Sequence, residues 1–236
     1  MKEMSAVLLE RTASGEYNER LRFFTREAGI ISIFGFGTRS VKSRRGRLLA
    51  SHDFLKITVK ESRDASVLQD ASIYRCLSFL QNVNKYLYFS SLLKKISACF
   101  APGDPAPVLF SALLLQADIL DENFYSEVSA KIIFNAACAV AAGFFPWFSG
   151  CEKCGKTDGN FNFSERFYCT DCRPDDKNIY LPEEIRLLNS LYSQAEAGRL
   201  PGLAVYRELS EREKSGQEFS AQLEKLNRLF TENFRR

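Results

Sequence analysis

Two CxxC pairs constrain this chain more than any other feature. Cys151-Glu152-Lys153-Cys154 and Cys169-Thr170-Asp171-Cys172 make a C-x2-C-x14-C-x2-C pattern. Each pair can set two sulfurs on one side of a tight turn, and the stretch between them can fold back as a hairpin. Four thiolates can then surround one Zn²⁺ as a tetrahedron with Zn–S of about 2.3 Å. Gly155 and Gly159 suit the turns, and Phe161, Phe163, Phe167 and Tyr168 suit short strands. The spacing predicts a zinc ribbon over residues 149–175, with Cys151, Cys154, Cys169 and Cys172 holding one ion. Such a site keeps no open coordination position, so its expected role is structural. Two disulfides, or four unrelated thiols, are the plainer alternatives, and the paired spacing argues against both.

The same stretch holds a second pattern. Gly150-Cys151-Glu152-Lys153-Cys154-Gly155-Lys156-Thr157 matches G-x-x-x-x-G-K-[ST], the phosphate-binding loop. That loop needs a strand before it and a helix after it, so that backbone N–H groups face the phosphates. Asp158-Gly159-Asn160 is turn chemistry, and Gly143-Phe144-Phe145-Pro146 makes a poor central strand. Two of its variable positions are also the expected metal ligands. A nucleotide hydrolase built on this match is therefore the weaker reading.

The chain has 236 residues, 45% of them hydrophobic and 26% charged, which is ordinary globular composition with length for more than one core. Cys76, Cys99 and Cys138 sit in apolar surroundings and are expected to be buried thiols. Met1-Lys2-Glu3-Met4 leads into no signal-peptide apolar core, so a reduced, cytoplasmic protein is expected. Residues 132–148 are apolar apart from Asn135, but the run is short for a spanning helix and Pro146 interrupts it. A buried core helix is the expectation, and no membrane partner. The net charge of +3 is unevenly spread. Residues 1–63 hold 13 Lys/Arg against 7 Asp/Glu, so this quarter is the candidate for a polyanionic partner.

Residues 1–63 read as β. Leu21, Phe23 and Thr25 alternate with Arg22, Phe24 and Arg26, Ile30 to Phe36 is an apolar run, and Leu55, Ile57 and Val59 alternate with Lys56, Thr58 and Lys60. Four or five short strands in this length suggest a small barrel. Between two strands lies Gly35-Phe36-Gly37-Thr38-Arg39-Ser40-Val41-Lys42-Ser43-Arg44-Arg45-Gly46-Arg47, which holds no acid. Arg39, Lys42, Arg44, Arg45 and Arg47 are the candidate nucleic-acid contacts, because guanidinium matches phosphate with two donors. Nothing in the loop reads bases, so binding would be sequence-independent and salt-sensitive. A solvated loop with no partner is the other reading. Phe24, Phe34 and Phe36 could stack on bases, but a core position is the expectation for each. Arg22, Arg26, Lys56 and Lys60 offer a second basic face.

From Asp64 onward the pattern reads as helical, with Ile73, Leu77, Leu80 and Leu87 at spacings of three, four and seven. Val128, Ile132, Ile133, Ala136, Ala137 and Val140 trace a central helix. Leu181-Pro182-Glu183-Glu184 is a helix start, and Phe219, Leu223, Leu226, Phe230 and Phe234 form the seam of a last amphipathic helix. Two domains follow: a barrel over 1–63 and a helical domain over 64–236 carrying the zinc module. The only histidine is His52, so a HExxH site or a His-assisted nucleophile is hard to build, and a binding protein rather than an enzyme is expected.

In order and in residues the chain resembles the RecO family of bacterial recombination-mediator and DNA-repair proteins. An apolar first strand with Gly15-Glu16 is followed by Phe24-Thr25-Arg26-Glu27-Ala28-Gly29 and the basic Gly37 to Arg44 loop. A helical domain comes next, with Gly143-Phe144-Phe145-Pro146 just before the cysteines. Many members have degenerate cysteines, whereas all four stand here. The resemblance implies an α+β fold: an N-terminal OB-like β-barrel, then an α-helical domain with an inserted four-cysteine zinc ribbon. It implies binding of single- and double-stranded DNA and annealing of complementary strands. It also implies cooperation with RecR, and action on DNA coated by single-strand DNA-binding protein so that the RecA recombinase can load. Such a protein works in the cytoplasm at the nucleoid. A zinc-ribbon transcription regulator is the remaining alternative, and sequence-specific duplex binding would favour it.

Overall fold

In the computed structural model the described residues are 1–50, 53–61, 65–122, 126–143, 145–163, 165–174, 179–196 and 203–233. His52, Asp64, Phe144 and Phe234 lie outside them. Alternation of buried and wet side chains produces β1 (Lys2–Ala13), β2 (Glu19–Thr25), β3 (Gly29–Gly35), β4 (Phe54–Glu61) and β5 (Ser66–Arg75). They close into a barrel in the order β1-β2-β3-β5-β4, with β4 returning onto β1. Neighbours are antiparallel except β3 and β5, which meet in parallel at Phe34 and Val67. Closure leaves no open sheet edge, and this five-stranded arrangement is OB-like. Leu21, Phe23, Ile33, Leu55, Ile57 and Leu68 fill the interior. A short helix, α1 (Arg44–Leu48), joins β3 to β4, and Leu49 at its end is buried in the same core.

The closing strand corrects the sequence reading, which began helices at Asp64. Ile73 lies in β5 rather than in a helix. The strand carries two bulges: its register against β4 shifts at Phe54/Leu55 and again at Thr58/Val59. The second leaves Leu68 and Ala71, both buried, three residues apart instead of two. A bulge adds a residue to one strand and so breaks its two-residue period, which imitates helical spacing.

Two compact units divide the chain, Met1–Asn123 and Phe124–Arg236. The first holds the barrel, a 3-10 turn (Ser78–Gln81), α2 (Val83–Cys99) and α3 (Pro107–Asp121). These helices cover an apolar layer outside the barrel. The Phe54 ring lies 6.2 Å from Phe89 on α2 and 5.7 Å from Phe110 on α3, and Phe24 lies 5.6 Å from Phe110.

The second unit holds α4 (Glu127–Ala141), three short strands, β6 (Phe161–Phe163), β7 (Phe167–Cys169) and β8 (Ile179–Tyr180), then α5 (Pro182–Glu196), α6 (Leu203–Ser215) and α7 (Gln217–Asn233). Ile132, Ile133, Phe134, Ala136 and Ala137 of α4 are buried, and α4 packs against α5, α6 and α7. Inside this unit Asn135 donates to Asn227 at 2.9 Å, which satisfies a polar pair between α4 and α7. At the start of α5 the Leu181 N–H donates to Glu184 at 2.7 Å, a reach-back cap. Among the described residues no helix is long and apolar enough to cross a membrane.

Gly29 marks a crossing that only glycine allows. Its φ is +63°, and a Cβ there would stand 2.0 Å from the Asp104 carbonyl oxygen. The Gly103 N–H donates to the Ile30 carbonyl at 3.0 Å and holds that approach. Gly29→Ala is expected to cost about 3 kcal/mol or more, from left-handed strain and a backbone clash together. Chemical denaturation measures it, and an unchanged midpoint would contradict the crossing.

Candidate metal centre and candidate nucleic-acid interface

The four cysteines come together as their spacing predicts. Cys151 opens a knuckle in which its N–H donates to the Lys156 carbonyl at 2.8 Å and the Gly155 N–H returns to the Cys151 carbonyl at 2.8 Å. Cys169 ends β7, opposite Phe161 on β6. The Cys172 N–H then donates to the Cys169 carbonyl at 3.0 Å, which makes the second knuckle. All four sulfurs lie within 4.8 Å of one another, and Cys154 Sγ and Cys169 Sγ are 3.7 Å apart. A tetrahedron with metal–sulfur bonds of about 2.3 Å has edges of about 3.8 Å, so the set fits one ion. Phe148 supports the module from below, 4.5 Å from Phe161 and 5.3 Å from Phe167 between ring centres.

The thiols also conflict electrostatically. Burial raises Cys151, but hydrogen bonds from the backbone at Cys169, Cys154 and Lys153 outweigh it and lower the thiol to about 6. Contacts with the Cys154 and Cys169 thiols push Cys172 up to about 12. One sulfur ionises readily while its neighbour keeps its proton, held first by hydrogen bonds with the surrounding thiols and by burial, and then by the charge on Cys151. A bound dication removes that conflict, which is the chemical argument for a metal here. None of the seven cysteines is in a disulfide. Of the other three, Cys138 is buried as expected, but Cys76 and Cys99 are exposed. Cys76 follows the end of β5 and Cys99 ends α2, and apolar neighbours in sequence do not bury an element's end.

The phosphate-loop match is the first knuckle of this module. No helix follows Thr157; residues 158–160 lead into β6. Lys156 Nζ is paired with Asp171 Oδ2 at 3.1 Å, and that carboxylate raises its pKa further.

In the barrel unit the basic stretch is more ordered than a loop. Thr38 is buried and its hydroxyl donates to the Gly35 carbonyl at 2.9 Å. The Gly37 N–H donates to Asn18 Oδ1 at 3.0 Å, the Arg39 N–H to the Tyr17 carbonyl at 3.1 Å, and the Arg39 side chain to the Gly15 carbonyl at 2.8 Å. Ser43 caps α1 by accepting the Gly46 N–H at 3.1 Å. Gly46 must be glycine for α1 to lie this close, since a Cβ would stand 2.0 Å from the Thr38 carbonyl oxygen.

The five cations differ. Arg45 is half-buried and donates to three backbone carbonyls, Leu68 at 2.7 Å, Gln69 at 3.2 Å and Phe36 at 3.0 Å. Arg39, Lys42, Arg44 and Arg47 are exposed, and the last three make no ion pair among the described residues. On the second basic face Arg22 is tied to Ser97, 2.7 Å to its hydroxyl, and Lys56 to the Ser5 hydroxyl at 3.0 Å. Arg26 and Lys60 there are exposed.

Phe24 is buried and Phe34 half-buried, but Phe36, expected in the core, is 52% exposed. Its ring runs nearly parallel to Phe34, at 17° and 6.2 Å between centres. The Arg20 guanidinium stands 5.4 Å from the Phe34 ring centre. The signal was present in the alternation: Ile33 and Gly35 point inward, so Phe34 and Phe36 point out.

A family model described as Recombination protein O C terminal matches residues 80–210, more than half of the chain. The chain is 23% identical over 216 residues to the DNA repair protein RecO of Listeria innocua, covering 89% of this chain and 84% of that one. It is 25% identical over 206 residues to the protein of the same name from Myxococcus xanthus, covering 83% and 82%. It is likewise 25% identical over 162 residues to that of Lawsonia intracellularis, covering 67% and 65%.

Cys151→Ser is expected to abolish stoichiometric metal binding and to loosen the module, because metal binding here is folding free energy. Elemental analysis of the purified variant checks the first, and proteolysis within residues 149–175 the second. Full metal content with wild-type resistance would contradict the site.

Proposed function

This chain belongs to the RecO family, and on that footing we propose that it is a DNA-binding recombination mediator in DNA repair. It binds single- and double-stranded DNA through the barrel and anneals complementary single strands. It works with RecR on DNA coated by single-strand DNA-binding protein, so that the RecA recombinase can load. The observation that carries the reading is the cluster Arg39, Lys42, Arg44 and Arg47, exposed along one ordered stretch with no acid between residues 35 and 47. Annealing needs no bond chemistry. Two phosphate backbones repel, and cations that release counterions from both let the strands approach. Backbone contacts carry no base identity, so one stretch serves any sequence. The ion between the four cysteines is a structural zinc, since four thiolates leave it no open position. DNA as partner sets the place of action at the nucleoid, in the cytoplasm.

The protein acts by binding rather than by catalysis. Two residues of the phosphate-loop match, Cys151 and Cys154, belong to the four-cysteine cluster, and Lys156 is paired with Asp171. Lys156→Ala is expected to leave strand annealing unchanged, with or without ATP. ATP hydrolysis by the wild type that disappears in this variant would overturn the non-enzymatic reading.

The direct test of the grip is Lys42→Ala/Arg44→Ala/Arg47→Ala, which spares the anchoring Arg45. Each phosphate contact contributes about 0.7 to the salt slope on single strands and about 0.9 on duplex. The triple variant should therefore lower the slope by roughly 2 units on single strands and by nearly 3 on duplex, and slow annealing of bare and protein-coated strands. Unchanged slope and annealing would move the DNA site to Arg26 and Lys60.

A further inference from the structure

We propose that Phe36, backed by Phe34, is a stacking platform for an unpaired base, so that the barrel holds single-stranded DNA in preference to duplex. The inference rests on the DNA-binding reading and adds to it how strandedness is told apart. A half-exposed aromatic ring is unremarkable alone. Here the ring is paired, oriented and surrounded by cations. Its plane lies within 17° of Phe34, whose own ring carries the Arg20 guanidinium at 5.4 Å from its centre.

The peptide that joins Phe36 to Gly37 is held at both of its polar groups. Arg45 donates to its carbonyl at 3.0 Å, and the next N–H, that of Gly37, donates to Asn18 at 3.0 Å. The ring is therefore presented by fixed backbone rather than by a slack loop. That lowers the ordering cost of a ligand that stacks on it. The register sets charge on either side. Arg20 on β2 is directly opposite Phe34, Phe34 opposite Val67, and Val67 opposite Lys60 on β4. Arg20 and Lys60 are both exposed. A phosphate backbone laid across this row meets a cation at each end and an aromatic pair between them.

Stacking on a side chain needs a free base face. In duplex both faces of every base are already stacked, so Phe36 gains nothing there. In a single strand one face can move onto the ring, whichever base it is. The cations act on both forms alike. The aromatic pair therefore acts on strandedness and the cations on affinity.

Phe36→Ala, Phe36→Leu and Phe36→Trp separate these roles in the full-length chain. Fluorescence anisotropy is titrated with a labelled thymidine oligonucleotide and with a duplex of equal length, at several salt concentrations. Ala and Leu should each lose about 10-fold on the single strand, the effect of one stacked base, and change less than 2-fold on duplex with an unchanged salt slope. Leu keeps apolar bulk, so its loss assigns the effect to stacking. Trp should retain affinity and show fluorescence quenching by the single strand that the wild type, with Trp147 alone, lacks. Equal loss on both substrates, or wild-type affinity of the Ala variant for the single strand, overturns the platform and leaves DNA binding standing. A wild-type chain that binds neither substrate overturns both readings.

Discussion

The β3–β5 seam is where the barrel wall is thinnest, because one parallel register pair, Phe34 with Val67, joins the two strands. Arg45 stitches that seam from outside. It donates to the Phe36 carbonyl beyond the end of β3 and to the Leu68 and Gln69 carbonyls of β5. Gln69 is the extra residue of the bulge opposite Thr58 and Val59, where ladder bonding is interrupted and a carbonyl needs another donor. A guanidinium supplies several donors in a fixed plane and cannot lose its charge. By closing the seam it also sets α1, which is too short to order itself.

The chain thus spends its arginines and lysines in two ways. Arg11 is bidentate to the buried Glu19 at 3.0 and 2.9 Å. Burial raises that carboxyl, but the hydrogen bonds from Arg11 and the charges of Arg11 and Arg39 hold it below its ordinary value. Arg22, Lys56 and Arg45 are likewise committed to protein partners. Lys42, Arg44 and Arg47 point their charge at solvent. The second unit uses a different device, a cluster of four cysteines placed so that it could hold one ion. In both places loop geometry is set by a polar anchor instead of a hydrophobic core.

The parts of the fold legible in the sequence are those with undisturbed periods. Leu55, Ile57 and Val59 alternate cleanly, and the α4 and α7 seams repeat at helical spacing. The cysteine ligands were legible because two CxxC pairs are a local geometric statement. What failed has physical causes. One β5 bulge puts the buried Leu68 and Ala71 three apart, a helix-like spacing inside a strand. The α6 segment, charged at six of its thirteen positions, buries Tyr206 and Leu209 without a clear apolar face. Arg45 looks like its neighbours in sequence, and only the position of β5 reveals its inward role. Residue type argues for a core position at Phe36, but parity with the inward-facing Ile33 turns it out.

Photo-crosslinking of a single-stranded oligonucleotide to the full chain, followed by peptide mapping, tests the central claim most directly. The account predicts crosslinks in the peptides carrying Phe36 to Arg47 and Arg20, with the cysteine module unmodified. Crosslinks confined to residues 126–233 would contradict it.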